Sequence, residues 1–291
     1  MEIRRNPYFF GILAIAAWST VATAFKISFN YFTVDQVLCY SIIFSFIFIL
    51  VTSLLMGKTK EIITQTKKQW IYSAGLAILN PIVYYFVLFS AYNSLPAQEA
   101  MIINYTWPIF FGISSAIVGK IKISRYHFFA FIVSFFGVVV LATKGNFDSL
   151  TFSNIFGDIL ALLSAIIWTI FWIFNIRDQR DPIVKLFSIF LFGSVYSIII
   201  MMFTHNFELI STIGLLVSGY IGLFEMGLTF ILWLTAISLS NRPHKVSQLV
   251  YLTPFLSLLV ISLVLKEKIH ISSIIGLILI ILGIVIQQKT K

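Results

Sequence analysis

Charged residues are scarce in this sequence: only 11% of its 291 residues are Asp, Glu, Lys or Arg, against about a quarter in soluble domains. So few charges cannot cover a water-exposed surface of this size. The chain is instead 59% hydrophobic, with a mean hydropathy of +0.98. Its apolar residues form runs of about 17 to 25, the length that crosses a bilayer core. The composition therefore predicts a membrane protein surrounded by lipids.

Cysteine is almost absent as well. Cys39 is the one cysteine and lies inside the second apolar run, which excludes a disulfide framework or a cysteine metal site. The four histidines lack metal-ligand spacing, so we expect neither a metal nor a cofactor. No nucleotide-binding loop is present, which argues against direct ATP coupling. The net charge of +9 lies in short connections, so we expect no nucleic-acid partner.

The apolar runs divide the chain into ten predicted transmembrane helices within one all-α membrane domain. The first run has no signal-peptide cleavage site and is kept as a helix. The predicted spans are 8–26, 36–56, 70–93, 98–119, 126–143, 156–176, 184–203, 212–238, 246–265 and 271–287.

The Lys and Arg residues are distributed unevenly between the two sides that these spans define. Sixteen of the 20 fall on one side and four on the other. Basic residues are retained on the cytoplasmic face, so this asymmetry predicts that both termini are cytoplasmic. We expect a multi-pass protein of a bacterial or archaeal inner (plasma) membrane.

The sequence also repeats. Tyr105-Thr-Trp-Pro108 recurs as Tyr251-Leu-Thr-Pro254 at an offset of 146 residues, and Trp18 matches Trp168 at an offset of 150. This predicts two five-helix repeats, 1–145 and 146–291. Because five is odd, the second repeat should cross the membrane in the opposite sense. The alternative is chance similarity between apolar helices.

The middle of several spans contains residues that are unusual in a lipid-facing helix. Proline removes a backbone hydrogen bond and kinks a helix, and inverted-repeat transporters bind substrate near the midplane at interrupted helices. The predicted helix kinks are at Pro81, Pro108 and Pro254. The predicted substrate-binding residues are Trp18, Asn80, Tyr84, Tyr105, Trp107, Trp168, Glu225 and Tyr251. For any of them the alternative is a structural kink or aromatic packing between helices.

Glu225 is the most informative of these residues, because a carboxyl group near the centre of a span costs about 2.5 to 3.5 kcal/mol. It lies in Gly222-Leu-Phe-Glu-Met-Gly227 and corresponds to Asn80 at an offset of 145. We predict that Glu225 either binds a substrate amine or carries a proton for coupled transport. The alternative is a neutral Glu hydrogen-bonded to Asn80 or to helix backbone.

Other polar and small residues have a predicted structural role. Glu99, Asp158 and Glu267 lie near span ends, where interfacial water or helix N-termini can accommodate a carboxyl group. Gly276 and Gly283 on the last helix, like Gly137 on the fifth, are expected to form close packing faces.

In order and spacing, several segments resemble the drug/metabolite transporter superfamily, specifically its ten-helix EamA-type carriers. They are Trp18-Ser-Thr, Asn104-Tyr-Thr-Trp-Pro108, Trp168, Tyr251-Leu-Thr-Pro254 and Leu265-Lys-Glu267. The Asn-Tyr-x-Trp-Pro segment looks most like that of the aromatic amino acid exporters. That resemblance implies that Tyr105, Trp107 and Trp168, with Tyr84 or Tyr85, line a central cavity. The sequence departs from that group at Glu225, where a neutral residue is expected.

The sequence as a whole predicts a secondary transporter of amino acids or similar small organic metabolites, working outward by alternating access. The first alternative is a multidrug exporter of lipophilic cations with the same fold. A membrane-embedded enzyme is disfavoured because no span contains paired ligands or a Ser with a nearby base. A pore is disfavoured because rings of charge are absent.

Overall fold

The computed structural model describes residues 6–118, 125–145, 154–204, 211–240, 246 and 248–288. These ranges are helical and contain no strand. Six helical segments are long and apolar enough to cross a membrane, and shorter apolar helices cover 128–141, 249–264 and 271–286. The protein is therefore a multi-pass membrane protein. The total of ten spans and the side of the termini stay predictions.

Four of the six long segments are single helices, and the other two are divided by interruptions. The helices in chain order are α1 (Pro7–Ser28), α2 (Val34–Leu55), α3 (Thr59–Ile63), α4 (Lys67–Ala77), α5 (Tyr84–Ser94), α6 (Ala97–Asn104), α7 (Trp107–Val118), α8 (Arg125–Ala142), α9 (Ile155–Arg177), α10 (Pro182–Thr204), α11 (Thr212–Ile221), α12 (Leu228–Leu239), α13 (Thr253–Val264) and α14 (Ile271–Gln288).

The helices form two compact units. Unit 1 comprises Met1–Phe86 and Gln179–Val260, and unit 2 comprises Val87–Asp178 and Ile261–Lys291. Each unit takes residues from both predicted repeats. The two units therefore differ from the two predicted repeats, 1–145 and 146–291.

Unit 1 is built around α2, which packs against α10 on one side and α11 on another, while α1 packs against α12. Small residues allow these close approaches. A Cβ atom on Gly193 of α10 would lie 2.7 Å from the Pro81 ring, and one on Gly222 would collide with the Ser41 carbonyl oxygen of α2. Both glycines are therefore required by contacts with neighbouring chain segments.

Polar contacts join the α3 region to the start of α10 within unit 1. Asp181 caps α10 by accepting the Ile183 amide at 2.9 Å. The Lys58 ammonium lies 2.8 Å from Glu61 and 3.0 Å from Asp181. Hydrogen bonds from Lys58 to Glu61 and then to Asp181 raise the pKa of Lys58. This partly exposed ion-pair group connects the segment after α2 to the N-terminus of α10.

Unit 2 contains a tight helix pair, α8 with α14. A Cβ atom on Gly137 would lie 2.8 Å from the Gly276 carbonyl oxygen, and one on Gly276 would lie 2.8 Å from the Gly137 carbonyl. In the same helix pair, the Ser134 hydroxyl of α8 donates a hydrogen bond of 3.2 Å to the Ile280 carbonyl of α14. The predicted glycine packing face is confirmed at Gly137, Gly276 and Gly283.

Candidate functional site

Helices α4 and α5 are joined by a wide turn, Ile78–Val83, which we call the first interruption. Asn80 has an extended backbone, with φ −147° and ψ 121°, and the Asn80–Pro81 peptide bond is cis. The Tyr84 amide donates to the Leu79 carbonyl, one residue further back than in an α-helix. The structure therefore places Pro81 inside a break in the helical hydrogen-bond pattern, since proline has no N–H to donate.

Helices α11 and α12 are joined in the same way by Gly222–Gly227, the second interruption. Here the Leu228 amide donates to the Leu223 carbonyl. The two wide turns correspond residue by residue at an offset of 144, since Leu79 matches Leu223 and Tyr84 matches Leu228. At this offset the residue that matches Glu225 is Pro81 rather than Asn80, one position from the predicted pairing.

Side chains satisfy the carbonyl groups that the second interruption leaves without helical partners. The Thr229 hydroxyl donates to the Phe224 carbonyl. The Trp18 indole Nε1 donates a long hydrogen bond of 3.4 Å to the Glu225 carbonyl. Backbone groups at membrane depth need such partners because lipid offers none. Trp18 thus connects α1 to the level of Glu225.

The Glu225 side chain is held by a tyrosine. The Tyr85 hydroxyl donates to Glu225 Oε1 at 3.0 Å; Tyr85 is fully buried, whereas Glu225 is half-buried. In the described residues this is the one hydrogen bond of the Glu225 carboxyl group. Tyr84 packs edge-on against Tyr85, with ring centroids 4.7 Å apart.

Asn80 does not bond to Glu225, although the sequence suggested it as an alternative partner. Its side chain is 1% exposed, and its Oδ1 atom has no hydrogen-bond partner in the described ranges. The first interruption therefore contains a buried polar oxygen in the same unit as the Glu225 carboxyl group.

An aromatic cluster surrounds Trp18. Its ring centroid lies 5.4 Å from that of Trp233 and 6.4 Å from that of Phe230. Sequence reasoning did not select Trp233. Trp233 could have been identified from its position, because it lies eight residues after Glu225, about two helical turns along the same face.

The remaining predicted residues lie elsewhere. Tyr251 is in unit 1, in the 3₁₀ turn Gln248–Leu252. Tyr105, Trp107 and Trp168 are in unit 2. There Tyr105 and Thr106 separate α6 from α7, and the Thr169 hydroxyl donates to the Trp107 carbonyl at 3.2 Å.

Pro108 and Pro254 occupy the second position of α7 and α13, respectively. Proline is tolerated in a first helical turn, where its missing N–H would have no helical partner. Both prolines therefore begin the helix that follows a break, at corresponding positions of the 146-residue offset.

Glu99 and Asp158 lie in the first turns of α6 and α9, which matches the expected helix N-termini, but interfacial water does not surround them. Glu99 is 2% exposed and Asp158 is 8% exposed, because α6 packs against α9 in unit 2. Glu267 lies in the connection before α14 and accepts helix amides of α6, with Ala97 N donating to it at 2.9 Å.

Comparisons with family models, curated proteins and solved structures each give a match. A family model described as the EamA-like transporter family matches residues 5–143 and 155–287. The uncharacterized transporter YvbV of Bacillus subtilis (strain 168) is 25% identical over 230 residues, which is 77% of this chain and 74% of the relative. A solved structure, titled "Crystal structure of protein", is similar with a TM-score of 0.67 at 20% identity and covers 96% of this chain and 95% of that one. The structural likeness concerns the fold alone. Because the family model matches most of the chain in two segments, this protein belongs to the EamA-like transporter family.

Proposed function

We propose that this protein is a secondary transporter that exports amino acids or similar small organic metabolites across the inner membrane by alternating access. One observation carries the proposal: the Glu225 carboxyl group lies in an interrupted helix and is oriented by Tyr85. An interrupted helix near the midplane is where carriers of inverted-repeat architecture bind substrate.

The chemistry around Glu225 favours an amine. Tyr85 occupies Oε1, and Oε2 has no hydrogen bond within the described residues, which leaves it for a substrate ammonium group or a proton. The Trp18 and Trp233 rings are close by in the same unit, and aromatic faces attract cations. An α-ammonium group beside an apolar or aromatic side chain matches this combination.

Alternating access is supported by repeated features in the two halves. The wide turns match at an offset of 144, and the proline-headed helices α7 and α13 match at 146. In the α8–α14 pair, Ser134 bonds Ile280, its own counterpart at the offset of 146. We infer an inverted repeat, in which the same fold in two orientations gives two conformations of similar energy.

Counterflow in proteoliposomes with a panel of labelled amino acids tests the proposal. We expect exchange of at least one amino acid, and a loss of about tenfold or more in Glu225→Gln. The reason is that a hydrogen bond to a charged group contributes about 1.5 to 3 kcal/mol. Glu61→Gln, which changes an exposed carboxyl group outside the spans, is the matched control and should keep wild-type exchange.

The aromatic cluster around Trp18 also favours the multidrug alternative. Accumulation of a lipophilic cation in the same vesicles, with no exchange of any amino acid, would identify that function instead. Unchanged counterflow in Glu225→Gln would remove Glu225 from the substrate site.

A further inference from the structure

Three carboxyl groups of unit 2 lie around the start of α6. Both carboxyl oxygens of Glu267 have hydrogen-bond donors: one accepts the Ala97 amide at 2.9 Å and the other the Gln98 amide at 3.4 Å. It therefore caps α6 at the positive end of the helix dipole. Glu99 and Asp158 require a different explanation.

Asp158 lies in the first turn of α9 and is more than nine-tenths buried. Neither of its carboxyl oxygens has a hydrogen-bond donor in the described part of the chain. Next to it on that helix, a Cβ atom on Gly157 would lie 2.6 Å from Leu95, which shows how closely α9 approaches the segment before α6. Asp158 is thus enclosed by protein rather than by interfacial water.

The group that Asp158 meets is the side chain of Glu99, which is itself 2% exposed. Two ionised carboxylates cannot hydrogen-bond to each other, because each has acceptors and no donor. A hydrogen bond between them forms only when one carries a proton. Two adjacent buried negative charges would also repel each other and lose their hydration.

No basic side chain hydrogen-bonds to the Asp158 carboxyl group in the described ranges. Helix α7, which packs against α9, contains no titratable residue. Glu267 accepts amides at the start of α6, and its neighbours Lys266 and Lys268 are exposed. Asp158 forms no ion pair there, so a proton is the ligand that satisfies its oxygens.

We propose that Asp158 and Glu99 form a proton-binding site that holds one exchangeable proton between their two carboxyl groups. On binding, one carboxylate oxygen forms an O–H bond with a proton taken from solvent and donates it to the other carboxylate. On release the O–H bond breaks and the proton returns to solvent. Coupling of this proton to transport rests on the proposed function, whereas proton binding does not.

Infrared difference spectroscopy of the purified full chain in lipid tests the site without any substrate. The pH is stepped from about 5 to about 9, where ordinary carboxyl groups are ionised, and the carbonyl band of protonated carboxylic acids is recorded. Glu225→Gln serves as the background, so that Glu225 cannot contribute. We expect a titrating band, part of which shifts when aspartate side chains are labelled with carbon-13.

The band should be lost in Asp158→Asn and also in Glu99→Gln, because an amide donates to the remaining carboxylate and keeps it ionised. Asp35→Asn is the matched control. Asp35 is 9% exposed, but its oxygens accept the hydroxyls of Thr33 and Thr204 at 2.6 Å each, so the band should persist. The isotope shift needs no variant of the pair and remains decisive if one of them fails to fold.

Absence of a titrating band, or a band unchanged in both Asp158→Asn and Glu99→Gln, would overturn the proposal. Counterflow measured on the wild-type protein, in which Glu225 is intact, separates this result from failure of the proposed function. If the band behaves as expected but the wild-type protein exchanges no amino acid, the proton site stands and the transport assignment is refuted.

Discussion

Tyr85 holds the carboxyl group at the centre of the candidate site through one hydroxyl, at 3.0 Å. Tyr85→Phe removes that donor and keeps the ring. We expect about tenfold lower counterflow, since a hydrogen bond to a charged group contributes about 1.5 to 3 kcal/mol. Tyr31→Phe, at an exposed position, should have no effect. Equal loss in both variants would mean that the hydroxyl of Tyr85 has no special role.

Asp181 combines a helix cap with an ion pair, and substitutions can separate the two. Asp181→Ala should lower the free energy of unfolding by about 1 kcal/mol, with a range of about 0.5 to 2, because it uncaps α10. Lys58→Met removes only the exposed ion pair and should cost less. Thermal unfolding in detergent measures both, and a larger effect from Lys58→Met would contradict this assignment.

The ion pair also predicts a pH dependence. Since Glu61 and Asp181 raise the pKa of Lys58, its contribution to stability is present at neutral pH and is lost as the pH rises through the raised value. The difference in unfolding temperature between wild type and Lys58→Met should therefore disappear at strongly alkaline pH. It should also shrink in high salt, which screens exposed charges.

At the scale of the residue, the sequence was most informative where placing a residue type in a membrane span costs free energy. Glu225 could be selected because a carboxyl group in a span needs a partner, yet the sequence could not identify which tyrosine provides it. Tyr84 and Tyr85 point about 100° apart on a helix, and the wide turn before them changes the direction of both. Asp158 was assigned to interfacial water or a helix N-terminus; it lies in the first turn of α9, but its burial between α6 and α9 depends on tertiary packing and could not be predicted.

At the scale of the helix, three prolines lie beside interruptions of the helical structure. Pro81, Pro108 and Pro254 all mark places where the structure interrupts or restarts a helix. The second interruption contains no proline, so its wide turn could not be read from composition. Its correspondence to the turn at Ile78–Val83 could be identified only by comparing the two turns in the structure.

The α8–α14 pair gives a prediction at this scale. Gly137→Ala and Gly276→Ala each place a methyl group against a backbone carbonyl at 2.8 Å, which cannot move aside as a flexible side chain can. We expect each to destabilise the protein by about 1 to 3 kcal/mol, as overpacking does. Gly75→Ala in α4, with nothing within 4 Å, should be neutral or stabilising. Thermal unfolding in detergent compares the three.

For the whole molecule, the charge asymmetry makes a topological prediction. The segment after α2 should face the cytoplasm and the segment before α14 the outside. In a Cys39→Ser background, which removes the buried native thiol, Lys60→Cys and Lys268→Cys place single thiols at exposed positions. An impermeant maleimide added to intact cells should label Lys268→Cys, and Lys60→Cys only after the cells are opened. The reverse pattern would invert the topology.

The bond between Ser134 and Ile280 has a consequence for how such a chain can change over evolution. The two residues are 146 positions apart, the offset of the proposed inverted repeat, and the twofold axis of that repeat would pass between them. At such an axis a residue meets its own counterpart, and a mutation in one is constrained by the other. Away from the axis the proposed counterparts are free to differ, as the two wide turns do at Pro81 and Glu225.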